Sequence, residues 1–112
     1  MAYRNLDVLD AAEQAAKQLN DLIVRSKSPS LLHVRQMRKS AQSVVANITE
    51  GFGRGKCPER DHALRVARGE AEETISHLKA NFLDRRLCAR DYYALRNRYV
   101  VIVKMLNSLL NG

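Results

Sequence analysis

The sequence predicts an all-α protein, an antiparallel up-down-up-down four-helix bundle in which residues 1–112 form a single domain. The chain has 112 residues, the usual length of one domain. Four segments carry apolar residues at spacings of three and four, and no segment shows the two-residue alternation of a strand. Only 2 prolines and 5 glycines occur, so long stretches are free of helix breakers.

The first helix is predicted from about Leu6 to Ser26 and ends before Pro29, because proline interrupts a helix. Its apolar face consists of Leu9, Ala12, Ala16, Leu19 and Ile23. The second helix is predicted from about Leu31 to Phe52. Its apolar face consists of Val34, Met37, Ala41, Val44 and Ile48. Glycine is the usual residue where a helix turns left-handed and stops, and three glycines are expected to end this helix: Gly51, Gly53 and Gly55.

The third helix opens at Pro58, which is tolerated at a first helical position, and is predicted to end near Asp84. Its apolar face consists of Leu64, Ala67, Ala71, Ile75, Leu78 and Phe82. The fourth helix is predicted from about Ala89 to Asn111. Its apolar face consists of Tyr92, Leu95, Tyr99, Ile102, Leu106 and Leu109. Short connections make neighbouring helices antiparallel, which gives the bundle.

Several classes of protein are excluded by simple patterns. No apolar run approaches the length of about 18 residues that a membrane span needs, and the first residues lack the layout of a signal peptide. Cys57 and Cys88 fall in connections at opposite ends of the third helix, about 30 Å apart, so they are not expected to form a disulfide. We therefore predict a cytoplasmic protein, where thiols stay reduced.

The sequence gives no pattern of a catalytic or metal site. The glycines around Arg54 follow a helix and lack the Lys-Ser/Thr ending of a phosphate-binding loop. His77 has no glutamate three residues before it, as a di-iron bundle would require, although Glu73 lies one turn away. His33 and His62 have no partner at ligand spacing. We expect no enzymatic activity, no cofactor and no metal.

The second helix carries a stripe of polar and mostly small side chains beside its apolar face: Gln36, Ser40, Ser43, Asn47, Glu50 and Arg54. A solvated helix face normally carries long charged residues, whereas small polar residues let another helix approach closely. One interpretation is a hydrated face without a role. The interpretation that we favour places Asn47 and Glu50 in a buried or half-buried polar network, with partners in the same bundle or on another subunit.

The net charge of +7 is unevenly distributed along the chain. Residues 30–57 have a net charge of +4 and residues 87–112 of +3, while the other segments are balanced. This excess is either a solvated surface or a site for a polyanion. The candidate phosphate-contacting residues are Arg35, Arg38, Lys39, Arg54, Lys56, Arg96 and Arg98. Only 5% of the residues are aromatic, so binding is expected to depend on backbone charge and shape more than on base stacking.

Residues 36–54 resemble the signature of a bacterial family of four-helix bundles, which runs roughly Gln-Leu-Arg-Arg-Ala-x-x-Ser-Ile-x-x-Asn-Ile-x-Glu-Gly. The matching stretch here is Gln36-Met37-Arg38-Lys39-Ser40-Ala41-x-Ser43-Val44-x-x-Asn47-Ile48-x-Glu50-Gly51-x-Gly53-Arg54. A second stretch, Ala67-Arg68-Gly69-x-x-x-Glu73, also matches, although Glu70 stands where the family usually has serine. The family includes proteins encoded in intervening sequences of 23S rRNA genes, often called S23 ribosomal proteins. It also includes the accessory variability proteins of diversity-generating retroelements.

The resemblance implies a four-helix protomer, a ring-like homopentamer for some members, association with nucleic acid and no enzymatic activity. The accessory members bind a reverse transcriptase and RNA, so a reverse-transcriptase-like protein partner is also implied. The matching residues are expected to serve the fold or an oligomer interface: Gln36, Ser40, Ser43, Asn47, Glu50, Gly51 and Glu73.

From these observations we predict a basic, non-catalytic homo-oligomer that binds nucleic acid, with structured RNA as the expected target. The alternative is a protein–protein adaptor without direct nucleic-acid binding, whose basic face meets an acidic partner. No membrane association is expected.

Overall fold

A computed structural model describes residues 5–26 and 31–111, and this part of the chain forms four α-helices without strands. The helices are α1 (Asn5–Arg25), α2 (Val34–Phe52), α3 (Pro58–Leu83) and α4 (Ala89–Asn111). The predicted all-α, four-helix fold is therefore confirmed. None of the described helices is long and apolar enough to cross a membrane.

The four helices pack around one core in a closed ring of neighbours. α1 packs beside α2 and α4, and α3 also packs beside α2 and α4, so that α1 and α3, like α2 and α4, lie diagonally across the core. α2 and α3 are antiparallel, because Leu32 just before α2 bonds to Asn81 near the end of α3. α3 and α4 are also antiparallel, because Phe82 at the end of α3 stacks on Tyr92 at the start of α4, while Arg68 in the first half of α3 donates to Asn107 near the end of α4 at 2.8 Å.

The sequence pattern predicted that the second helix starts at Leu31, whereas α2 begins at Val34. The side chain of Asn81 accepts from the N–H of Leu32 at 2.6 Å and donates to its C=O at 3.1 Å, and thereby occupies the C=O that would accept an intrahelical hydrogen bond in a longer helix. His33 then adopts a left-handed conformation with φ 57°, which ends the helical path in the N-terminal direction. The predicted break at Pro29 lies outside the described residues.

The buried face of α4 agrees with the sequence prediction, with Leu109 only half-buried. In α1 and α3 the prediction was wrong by one position at several points. Leu9, Ala16 and Ile23 are half-buried, while the buried residues of α1 are Val8, Ala12, Ala15, Leu19 and Leu22. In α3, Ile75 and Phe82 are half-buried, and the polar residues Thr74 and Asn81 take the fully buried positions beside them.

The glycines near the end of α2 have three different roles, so the prediction that all three end the helix was wrong. Gly51 is a buried residue inside α2, and a Cβ there would lie 3.1 Å from Cδ2 of Leu64. Gly53 follows the helix with a right-handed conformation, φ −69°. Only Gly55, with φ 71°, has the left-handed conformation that favours glycine.

The two cysteines lie at opposite ends of α3, as predicted. Cys57 immediately precedes α3 and Cys88 lies in the connection that follows it. The 26 residues of α3 span about 39 Å, far beyond the reach of a disulfide. Both thiols are free.

Replacing Tyr99 by phenylalanine is expected to stabilise the protein by about 1 kcal/mol at pH 7, because its hydroxyl group is buried without a hydrogen-bond partner among the described residues. Burial also raises the pKa of Tyr99 above its ordinary value near 10. Above pH 10 the unfolded state ionises before the folded state, so native stability falls, and the advantage of the Tyr99→Phe variant should grow by up to about 1.4 kcal/mol per pH unit. Urea unfolding at pH 7 and pH 10.5 measures both effects. A variant less stable at pH 7 would show that the hydroxyl group has a partner.

Candidate nucleic-acid interface

Three of the predicted phosphate-contacting residues form one exposed cluster in the first two turns of α2. Arg35, Arg38 and Lys39 are separated by three and four positions, which places them on one side of the helix. None of the described residues forms an ion pair with them, and the single acidic residue of α2, Glu50, lies near its other end. We call these three residues the α2 basic cluster.

The turn after α3 brings further positive charge to the same end of the bundle. The backbone N–H of Arg86 donates to the C=O of Asn81, whose side chain holds Leu32. Arg86 pairs with Asp84, whereas Arg85 is exposed with φ 60°. The charge count by segment does not predict these residues, because residues 58–86 are balanced in total charge. Their position could have been predicted from the topology, since an antiparallel bundle places the end of the third helix beside the start of the second.

Arg54 and Lys56 are separated from the α2 basic cluster by most of the length of α2, more than about 20 Å. Arg54 donates to Glu50 through Nη2 at 2.8 Å and Nε at 3.1 Å, and both side chains are exposed. These hydrogen bonds raise the pKa of the Arg54 guanidinium. The charge of Arg54 is thus partly balanced by a residue in the last turn of α2.

Arg96 and Arg98 lie on α4, which is diagonally opposite α2 in the bundle. Because they are two positions apart, they lie on opposite flanks of their helix. Arg96 lines a groove between α4 and α3, and Arg98 lines a groove between α4 and α1. The seven predicted basic residues therefore fall into separate groups on one protomer.

The polar stripe of α2 is only partly buried. Gln36 and Glu50 are exposed, Ser43 and Asn47 are half-buried, and Ser40 is buried. Asn47 donates to the C=O and Oγ of Ser43 at 2.9 and 3.1 Å, and so stays within its own helix. The sequence predicts a buried or half-buried network of Asn47 and Glu50, with partners in the same bundle or on another subunit. Glu50 is exposed in the protomer, so a buried network at Glu50 would need a partner on another subunit. The Glu50 side chain reaches Arg54 at the surface because it lies on the exposed side of α2, one position before the buried Gly51.

The buried polar contact between α2 and α3 joins Ser40 to Thr74, with the two hydroxyl oxygens 2.6 Å apart. Thr74 also donates to the C=O of Glu70 one turn earlier. The sequence pattern identified Ser40 but not its partner. Glu73, the last predicted interface residue, is exposed and lies 3.6 Å from Nε2 of His77.

An open groove of about 610 Å³ runs between the end of α2 and the start of α3. It is lined by Ala46, Asn47, Glu50, Arg54, Pro58, Glu59, His62, Ala63 and Val66. A hydrogen bond from its own backbone N–H, and then one with the thiol of Cys57, lower the pKa of Glu59. The ionised carboxylate of Glu59 therefore lies at the positive end of α3, where a phosphate group would otherwise bind.

Among the described residues, no three histidine, cysteine, aspartate or glutamate side chains are grouped so that they could hold a metal ion. The groove carries both acidic and basic side chains and is open to solvent. Exposed positive charge lies instead at the start of α2 and in the turn that follows α3.

Fold and surface together define a basic four-helix protein with an exposed cationic cluster at one end of the bundle. Residues 4–108 match the family model of the 23S rRNA-intervening sequence protein, and the chain belongs to that family. The crystal structure of a protein of unknown function from the S23 ribosomal protein family of Bacteroides thetaiotaomicron has the same fold, with a TM-score of 0.87. The two chains are 22% identical, and the alignment covers 96% of this chain and 98% of the other. No curated protein matches the sequence.

Proposed function

We propose that this protein is a non-catalytic RNA-binding bundle that contacts phosphate groups through the α2 basic cluster. The observation that carries the proposal is the exposure of Arg35, Arg38 and Lys39 on one helix side, without an ion pair to any described residue. Arginine and lysine in such a position release counterions from a nucleic-acid backbone when they bind. RNA is favoured as the polyanion because the signature of residues 36–54 also resembles that of the accessory variability proteins, which bind RNA. Free cysteines fit a cytoplasmic location.

Recognition through backbone and shape fits this surface better than base stacking. Among the described aromatic residues, Tyr93 is the exposed one, while Tyr92 and Tyr99 are buried in the core. Single-strand binding usually needs several exposed aromatic side chains in a row. A structured RNA, whose phosphates and 2′-hydroxyl groups are accessible across a wide minor groove, is the better ligand.

Self-association belongs to the same proposal, with the homopentamer as the expected assembly. Asn47 and Glu50 match the family signature. In the protomer Asn47 bonds to Ser43 and Glu50 to Arg54, both within one helical turn along the chain, and both residues line an open groove. If a second copy of the chain bound in this groove, Asn47 and Glu50 would contact it. A ring would also present several basic clusters to one RNA, which raises the effective concentration of weak sites.

A protein–protein adaptor is the second candidate function, and the same groove favours it. Its lining combines small apolar residues with the polar Asn47, Glu50 and His62, which suits a peptide or helix of a partner protein. A reverse-transcriptase-like protein remains the proposed partner for this function. In that case the partner protein would carry the catalytic activity.

The test measures affinity for a structured RNA and a matched DNA duplex over a salt series, with the native mass recorded alongside. The matched variants are the triple change Arg35→Gln, Arg38→Gln, Lys39→Gln and the triple change Arg96→Gln, Arg98→Gln, Lys104→Gln, which remove the same charge. We expect the α2 triple variant to lower the slope of log affinity against log salt by about 2–3, and the α4 triple variant by less than about 1. Circular dichroism checks the fold of both.

Equal weakening by the two triple variants would contradict a role specific to the α2 basic cluster. The absence of binding at about 50 mM salt, where electrostatic contacts are strongest, would favour the adaptor function. A native mass above the 12.7 kDa of one chain is expected, and a monomer would contradict the proposed self-association.

A further inference from the structure

Two histidines that are far apart in the sequence meet at the start of α2. Nδ1 of His33 lies 3.1 Å from Nδ1 of His77 on α3, and the two rings are arranged edge to face with centroids 5.0 Å apart. His33 is exposed and His77 is half-buried. The sequence pattern had left His33 without a partner.

The buried side chain of Asn81 fixes the position of both histidines. Asn81 binds the N–H and the C=O of Leu32, the residue before His33, and its Nδ2 also donates to the C=O of His77 at 2.8 Å. The left-handed conformation of His33, which is uncommon for a residue with a side chain, turns its ring toward α3. The pair therefore results from a defined backbone geometry on two elements.

The separation of the two nitrogen atoms suits two cis ligands of one metal ion. Zinc–nitrogen bonds to histidine are about 2.0–2.1 Å long, and a metal at that distance from both Nδ1 atoms would subtend an angle of roughly 98°. This angle lies between the values of square-planar and tetrahedral coordination, which imidazole complexes of copper, nickel and zinc adopt. A metal ion would replace the single proton that the two nitrogens share.

The second nitrogen of His77 provides an independent indication. Nε2 of His77 is buried and makes no hydrogen bond with the described residues, but Oε1 of Glu73 lies 3.6 Å away. Histidines that bind metals through one nitrogen commonly donate the other N–H to a carboxylate, which fixes the tautomer. A small rotation of the exposed Glu73 side chain completes this arrangement.

We propose that His33 and His77 bind one divalent late transition metal ion, of the zinc, nickel and copper class, through their Nδ1 atoms. Water fills the remaining positions on the solvent side of His33. Glu73 acts as a positioning residue that holds the His77 ring. The bound ion would link the start of α2 to α3, and this inference is independent of the proposed RNA binding.

The experiment uses the untagged 112-residue chain with Cys57→Ser and Cys88→Ser, so that free thiols do not bind the ion. Zinc is titrated against a chelating dye, and thermal unfolding is followed with and without zinc. We expect one zinc ion per chain and a higher Tm with zinc, because an ion that binds only the folded state stabilises it. His33→Asn should abolish both effects, since asparagine tolerates the left-handed conformation but lacks the imidazole.

His62→Asn is the matched control, because His62 is an exposed histidine on α3 that lies in the α2–α3 groove. It should bind zinc as the parent chain does, and Glu73→Gln should bind it about tenfold more weakly. Zinc binding that persists in the His33→Asn variant, or a parent chain whose Tm does not respond to zinc, would overturn the proposal. Titrations with nickel and copper are expected to rank the metal affinities of the variants in the same order as the zinc titration.

Discussion

Replacement of Asn81 by alanine is expected to lower the free energy of unfolding by about 3–4 kcal/mol. The side chain is fully buried and accepts from the N–H of Leu32 at 2.6 Å while donating to its C=O at 3.1 Å. Alanine would leave both backbone groups without these partners in a partly buried place, and each such group costs about 1–3 kcal/mol. Urea unfolding followed by circular dichroism measures the loss.

Two further variants separate hydrogen bonding from packing at this position. Asn81→Leu restores the side-chain volume without the hydrogen bonds, so we expect a loss similar to that of Asn81→Ala. Asn97→Ala is the control on α4, where the side chain is exposed and accepts only from Arg96. It should change stability by less than about 0.5 kcal/mol. If Asn81→Leu were as stable as the parent chain, packing and not hydrogen bonding would explain the role of Asn81.

Asn81 and Thr74 also show where prediction from the sequence ends. Apolar periodicity located all four helices, and the ends of α3 and α4 agree within one residue. The same periodicity assigned Ile75 and Phe82 to the buried apolar face of α3, because the pattern considers only apolar residues. The structure buries Thr74 and Asn81 instead, since Ser40 and the backbone of Leu32 satisfy their hydrogen bonds. Such partners come from another helix and leave no local pattern.

The basic surface was predictable in composition but not in arrangement. The excess charge of residues 30–57 correctly pointed to α2, where Arg35, Arg38 and Lys39 are exposed. Counting charge by segment cannot show that Arg96 and Arg98 lie on opposite flanks of α4. It also cannot show that Arg85 lies at the same end of the bundle as the start of α2. These facts depend on the direction and neighbours of each helix. The helix topology has to be known before the basic residues that share one surface can be identified.

The replacement Gly51→Val is expected to destabilise the protein by about 3 kcal/mol. Gly51 is buried where α2 crosses α3, and even a Cβ would lie 3.1 Å from Cδ2 of Leu64 and 3.4 Å from the backbone oxygen of Arg60. Leu64 is itself fully buried, so it has little room to move. The two additional methyl groups of valine would have to separate the helices, and overpacking of this kind typically costs about 1–3 kcal/mol.

Gly69→Val is the matched control, because it makes the same chemical change at an exposed position within α3. A Cβ at Gly69 meets no atom within 4 Å, and valine is a slightly better helix former than glycine, so stability should stay equal or rise by a few tenths of a kcal/mol. Urea unfolding of both variants distinguishes the effect of space from that of helix propensity. A Gly51→Val variant as stable as Gly69→Val would show that the α2–α3 crossing can widen, and that Gly51 is retained for a reason other than close packing.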